Sequence, residues 1–200
     1  MRLPAAFAFS LLLFGGIAHA EPIRILAAEN FYGEAAIAIG GDHVSVESVI
    51  VAPGTDPHDF EPSPAVARAV ADADIVIMNG AGYDHWIEDL IAATNRPERV
   101  VINVATLAGH GEGDNPHVWY DPKAMPALAA ALADELAASD PGNAAGYAER
   151  RDAFLATLAP IAARVAAMKE RFAGTPVVAT EPVFGHMADE RADLMLWLGD

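Results

Sequence analysis

Short apolar runs alternate with helix-patterned stretches along most of this 200-residue chain, and no other feature constrains the fold as much. Such an alternation requires buried strands separated by helices, which is an α/β layer structure built on parallel sheet. Residues 22–28 read as a first strand with Arg24 between apolar neighbours, and Asn30 as the cap of a helix running to Gly40-Gly41. Residues 43–51 alternate and end at Pro53-Gly54, a second strand, after which Pro62 or Ser63 opens a helix carrying Val66, Ala69 and Val70. A buried third strand at 74–78 ends at Asn79-Gly80, residues 83–93 are helical, and residues 99–104 form a fourth strand. Beyond a loop at 107–115, Pro122 starts a helix that reaches about residue 138.

Pro141-Gly142 then interrupts the pattern ahead of the longest helical stretch, residues 144–172, with Phe154, Leu158, Ile161, Val165 and Met168 near helical spacing. At 1.5 Å per residue this helix spans about 40 Å, more than one small lobe needs, so it is expected to connect two lobes. A last strand at 175–179 should lead into a short helix from residue 184 toward 198.

The first twenty residues differ from the rest. Arg2 gives a positive start, residues 5–17 are almost wholly apolar, and Ala18-His19-Ala20 places small residues at processing positions, so 1–20 reads as a signal peptide cleaved after Ala20. A membrane anchor needs about 20 continuous apolar residues, and this core is shorter. The chain contains no cysteine, which excludes disulfides and an N-terminal lipid on cysteine; a free periplasmic protein is expected. A net charge of −16, or −17 without Arg2, argues against nucleic acid or an anionic membrane as partner and favours cations.

Chemistry-bearing residues gather where the strands end, the place where open α/β sheets hold ligands. One loop, Gly54 to Pro62, presents His58 between carboxylates; a second, Asp114 to Pro122, presents His117; the third is Thr180-Glu181-Pro182. Neutral imidazole and ionised carboxylate are the donors a transition metal takes, and a scaffold can bring them together from three strand ends. Pro57, Pro116 and Pro182 stand beside the three donors and stiffen their loops. Either histidine alone reads more readily as a surface or structural residue. Their shared placement makes the metal reading.

The segments Ala28-Glu29-Asn30-Phe31-Tyr32-Gly33, Gly54-Thr55-Asp56-Pro57-His58, Asn79-Gly80-Ala81-Gly82-Tyr83-Asp84-His85-Trp86 and Asn115-Pro116-His117-Val118-Trp119 resemble, in order, the zinc- and manganese-binding solute receptors of ABC importers. The resemblance runs from about Pro22 to Met187. It implies a two-lobed metal-receptor fold with parallel-sheet lobes joined by a long backbone helix. The corresponding division is an N-terminal lobe at 21–140, a linking helix at 141–173 and the start of a second lobe at 174–200. It also implies metal ligation by His58, His117 and Glu181, a monomeric chain, and delivery of the ion to an ABC membrane permease. Glu181 occupies a position that is histidine in many zinc receptors; as a harder donor it tilts the site toward manganese or ferrous iron, although zinc also accepts carboxylate. The family adds a further stretch of second lobe with a fourth ligand, an aspartate, and this sequence stops at Asp200, so the second lobe is expected to be incomplete and no residue is given that role.

Other residues carry blander readings. Asn79, Gly80 and Tyr83 are expected to shape a turn and frame the cleft, and Trp86 to be core. The loop with His110, Glu112, Asp114 and His117 resembles a shortened His- and acid-rich loop and, with only one histidine besides His117, reads as solvated; His186 is an alternative ligand, and His43 and His85 are structural or exposed. The rival functions are a secreted metal-dependent hydrolase and a metal-independent adhesin or interaction module. Against the hydrolase stands the lack of a His-Glu-x-x-His helix, a Gly-x-Ser-x-Gly turn or a glycine-rich phosphate loop.

Overall fold

The computed structural model describes residues 21–94, 96–191 and 194–197. The expected signal peptide at 1–20 lies outside the described residues. Four strands, β1 (Ile23–Glu29), β2 (Val44–Ile50), β3 (Ile75–Met78) and β4 (Val100–Asn103), form a parallel sheet in the order β2-β1-β3-β4. Ile25 pairs with Val46 on one side and Ile75 on the other, and Ile77 pairs with Ile102.

Both faces of this sheet are covered, which is why β3 reads as a continuous apolar run and β1 as one from Ile25 to Ala28. Successive side chains point to opposite faces. Ile25, Ala27, Ile75, Ile77 and Ile102 face one core, with residues of α1 (Asn30–Gly40) and α5 (Ala124–Ser139). Leu26, Ala28, Val76 and Met78 face the other, with residues of α2 (Pro64–Asp72) and α3 (His85–Ala93). On α5 the stripe Leu128, Leu132 and Leu136 is fully buried at a spacing of one helical turn. Each such leucine contributes roughly 1.5–3 kcal/mol. Trp86 is buried against Phe60, as core. At the opposite end of the sheet from the loops that carry His58 and His117, Asp74 accepts from the Arg24 backbone N–H at 2.9 Å and from Arg96 Nη2 at 2.7 Å, tying the starts of β1 and β3 to the segment before β4.

The long helix α6 spans Ala144–Phe172, as the sequence pattern predicts. Its first third belongs to the sheet layer: Tyr147 is buried, Phe154 and Leu155 pack on the core, and Arg150 donates to the carbonyls of Ile39 and Gly40 at the end of α1. Further along, Ile161 is 58% exposed, and Pro160 removes one backbone donor from the helix. Among the described residues no helix is long and apolar enough to cross a membrane.

Three expectations are corrected. Residues 194–197 are a strand, β6 (Leu194–Trp197), and not the continuation of a helix; the preceding helix α7 covers only Gly185–Arg191. Four apolar residues are too few for a stable helix, whereas parallel pairing of β6 with β5 (Pro176–Ala179) satisfies their backbone groups. Val104 begins a short helix, α4 (Val104–Ala108), instead of ending β4, because the Asn103 side-chain oxygen accepts from the Thr106 backbone N–H and Gly109 closes the turn at φ +91°. At α1 the cap position is Glu29, with extended backbone, and Asn30 is the first helical residue.

Candidate metal centre

The helices that follow β1 and β3 pack on opposite faces of the sheet, so a crevice opens between these neighbouring strands at their C-terminal ends. The turn after β3 builds its floor. Gly80, Ala81 and Gly82 all have positive φ (+79°, +52° and +78°), a conformation glycine adopts freely and alanine only at a cost. Asp84 holds that turn closed by accepting from the backbone N–H of Asn79 at 2.7 Å and of Gly80 at 2.9 Å. Burial pushes the Asp84 pKa up to about 6 even though these two N–H groups favour the charged form.

Asn79 is buried and fully used. Its side-chain oxygen accepts from the Tyr32 hydroxyl at 2.7 Å, and its amide donates to the carbonyls of Gly80 and Pro116 at 2.9 and 2.8 Å. The loop bearing His117 is thereby fastened to the floor of the crevice. The cleft-framing role expected of Asn79, Gly80 and Tyr83 therefore has a specific form.

His58 enters on the loop after β2, where its backbone N–H donates to the Asp56 carboxylate at 2.9 Å in a local turn. His117 precedes a 3-10 turn at Val118–Tyr120. The two imidazole rings stand 6.2 Å apart, centre to centre, at 75°. Tyr83 contacts His58 edge-on at 4.7 Å, and Trp119 lies 5.2 Å from His117 and 4.8 Å from Tyr83, so an aromatic wall backs the pair. A metal about 2.0–2.1 Å from one nitrogen of each ring would set the ring centres roughly 5–6 Å apart, close to the observed spacing. His117 Nδ1 donates to Asn115 Oδ1 at 2.7 Å, which leaves its Nε2 lone pair free. Burial, with a further contribution from His58, lowers the His117 pKa against the opposing pull of Glu181, so the ring is held in the neutral form that a metal requires.

Glu181 precedes a 3-10 turn at Pro182–Phe184 and is exposed. The Asn115 amide donates to the Pro182 carbonyl at 2.7 Å, which brings this segment against the His117 loop. Among the described residues, the trio of possible donors whose ligating atoms all lie within 4.8 Å of one another is a different one: His110, Asp121 and His186. His58 and His117 face each other, and Glu181 lies near enough for its charge to act on His117. The reading of His110 as part of a solvated loop is corrected, since it is half-buried, 2.8 Å from the Asp121 carboxylate, and stacked 4.4 Å from His186. His43 packs edge-on against Tyr147, and His85 pairs with Glu88 at 3.4 Å on the surface of α3. Sequence reasoning missed Asp84, Asn115 and Asp121 as organisers; the local signal was present only for Asp84, a small acid just beyond a glycine-rich turn.

The family model described as zinc-uptake complex component A, periplasmic (ZnuA), matches residues 25–193. The chain belongs to this family. Among curated ZnuA-like relatives, the manganese-binding lipoprotein MntA of Halalkalibacterium halodurans is 30% identical over 141 residues, covering 69% of this chain and 47% of MntA. The iron ABC transporter substrate-binding lipoprotein MtsA of Streptococcus pyogenes serotype M1 is 27% identical over 154 residues, covering 70% of this chain and 49% of MtsA. The fold is that of the solved Zn(II)-bound AdcA from Streptococcus pneumoniae, with a TM-score of 0.77 at 22% identity over 90% of this chain and 40% of that one. The chain spans about half the length of the curated relatives it matches.

Proposed function

We propose that this chain is a solute-binding component of an ABC metal importer, which captures a divalent transition metal (zinc, manganese or ferrous iron) and passes it to a membrane permease. His58, His117 and Glu181 are the protein donors in this reading. What carries it is the facing pair of imidazoles, one of them held by Asn115 in the tautomer that keeps its proton on Nδ1 and leaves Nε2 free to coordinate. Membership of the ZnuA family supports the cargo class, as does similarity to a manganese-binding lipoprotein and to an iron ABC transporter substrate-binding lipoprotein. The role is binding, not turnover.

In the same reading the chain is exported to the periplasm by residues 1–20 and works as a monomer. Residues 21–140 form the N-terminal lobe, 141–173 the linking helix, and 174–200 the beginning of a second lobe. The separate two-stranded sheet β5-β6 and the exposed far half of α6 agree with that division.

Competitive calorimetric titration of zinc and manganese into the metal-free chain tests the proposal. The tightest binding event should weaken by orders of magnitude in His58→Ala and in His117→Ala. Tight binding that survives unchanged in both variants would overturn the assignment. Metal-dependent turnover of an ester or peptide would favour the hydrolase instead.

A further inference from the structure

Beside the histidine pair stands a second group of donors with its own orienting contacts. His186, on α7, directs Nε2 at the Asn115 carbonyl oxygen at 2.8 Å. A carbonyl can only accept, so that nitrogen carries the ring proton and Nδ1 presents a lone pair. Asp121 is buried, with one carboxylate oxygen taking the Lys123 backbone N–H at 2.8 Å and the other turned to His110 Nε2 at 2.8 Å. Among the described residues its ion-pair partner is His110, so no lysine or arginine neutralises this buried carboxylate. The rings of His110 and His186 lie 4.4 Å apart and tilted by 46°, and the three ligating atoms all fall within 4.8 Å of one another.

We propose that His110, Asp121 and His186 form a second divalent-cation site, separate from His58 and His117, with a donor set of two imidazoles and one carboxylate. This set suits zinc, with a fourth position open to water. Donors at about 2.0–2.1 Å in tetrahedral array stand roughly 3.3 Å apart. The His110–Asp121 contact would therefore open slightly as the metal replaces the shared proton, and the more distant pairs would close. The backbone carbonyl on His186 is the kind of outer contact that fixes the tautomer of a ligating histidine.

The three donors come from the loop after α4, the turn before α5, and α7. A bound ion would therefore fasten α7 to the sheet layer. Asn115 serves both sites: its backbone carbonyl orients His186, its side-chain oxygen orients His117, and its amide holds Pro182. The second site stands independently of the assignment of His58 and His117.

The test is zinc titration of the full metal-free chain, with zinc alone as the probe, on wild type, on His110→Asn/His186→Phe, and on His58→Ala/His117→Ala. Asp121 is left intact because it is buried at the head of α5. Two zinc equivalents are expected in wild type and one in each double variant. Zinc should also slow hydrogen exchange in residues 185–191 of wild type and of the His58/His117 variant, and leave it unchanged in the His110/His186 variant. A wild-type count unaffected by the His110/His186 changes would mean a hydrogen-bonded histidine–aspartate pair and nothing more. A single equivalent abolished by either double variant would mean one composite site. Either result, or the failure of wild type to bind zinc at all, overturns the proposal.

Discussion

Asn115 Oδ1 sits 2.7 Å from His117 Nδ1 and 3.2 Å from the His117 backbone nitrogen, so a single side-chain oxygen fixes both the tautomer and the position of the ring. Removing such an outer contact typically costs 10–100-fold in metal affinity. Asn115→Ala should therefore weaken zinc binding by at least roughly that factor, since it also removes the amide that holds Pro182. Asn115→Asp, which still accepts the Nδ1 proton, should recover most of the loss. Competition against a chromophoric chelator reads both values, and equal affinity in wild type and Asn115→Ala would remove the positioning role.

Glu181 offers a test of metal preference. Carboxylate is a harder donor than imidazole, and replacing one by the other shifts preference from manganese or ferrous iron toward zinc. Glu181→His should raise the ratio of zinc to manganese affinity by about tenfold or more, and Glu181→Ala should weaken both ions. Because Glu181 is exposed, neither change should shift the urea midpoint appreciably. An unaltered metal ratio in Glu181→His would place the carboxylate outside the coordination sphere.

The sheet and α6 were legible because their signals are local: apolar strands set between helical stretches, and a 29-residue helical pattern that runs on through Pro160. The closeness of His58 and His117 was legible by position, since each lies beyond a strand end where ligands of open α/β sheets collect. The contacts that organise the centre were not. The Asn115–His186 hydrogen bond joins residues 71 apart, and nothing near either residue announces the other. The same holds for the Asn79 link to Pro116, 37 residues away, and for the pairing that gives His110 a partner in Asp121. Residues 194–197 were misread because a short apolar run has no period of its own, and only the neighbouring β5 decides its conformation.

Gly80 tests the floor of the crevice. Its φ of +79° already disfavours any L side chain, and a Cβ there would collide with the Asn103 side chain, whose oxygen caps α4. Gly80→Ala combines a left-handed penalty of about 1–2 kcal/mol with loss of a cap worth about 1 kcal/mol. A destabilisation of roughly 2–3 kcal/mol is expected from urea denaturation. Gly54, around which a Cβ would meet nothing within 4 Å, is the control and should tolerate alanine.

The two buried acids at the base of the crevice predict an unusual dependence of stability on pH. Neither carboxylate oxygen of Glu29 has a hydrogen-bond partner among the described residues. Burial, and then the charge of Asp84, raise the Glu29 pKa well above its usual value; burial likewise lifts Asp84 to about 6. In both cases the folded chain binds a proton more tightly than the unfolded chain. The stability they contribute is fully present below the ordinary carboxylate range near 4 and is lost as pH rises through the raised values. Each group can supply a slope of up to about 1.4 kcal/mol per pH unit between its two pKa values. His117, whose pKa is lowered, acts in the opposite sense below about 6.5, so the whole-chain curve mixes the two effects. Comparing wild type with Glu29→Gln isolates the acid. In urea denaturation of the metal-free chain, Glu29→Gln should be the more stable protein at pH 7, and its advantage should shrink steadily as pH falls toward 4. Parallel stability curves for the two proteins would show that Glu29 is ionised in the fold and that some cation or donor meets its charge.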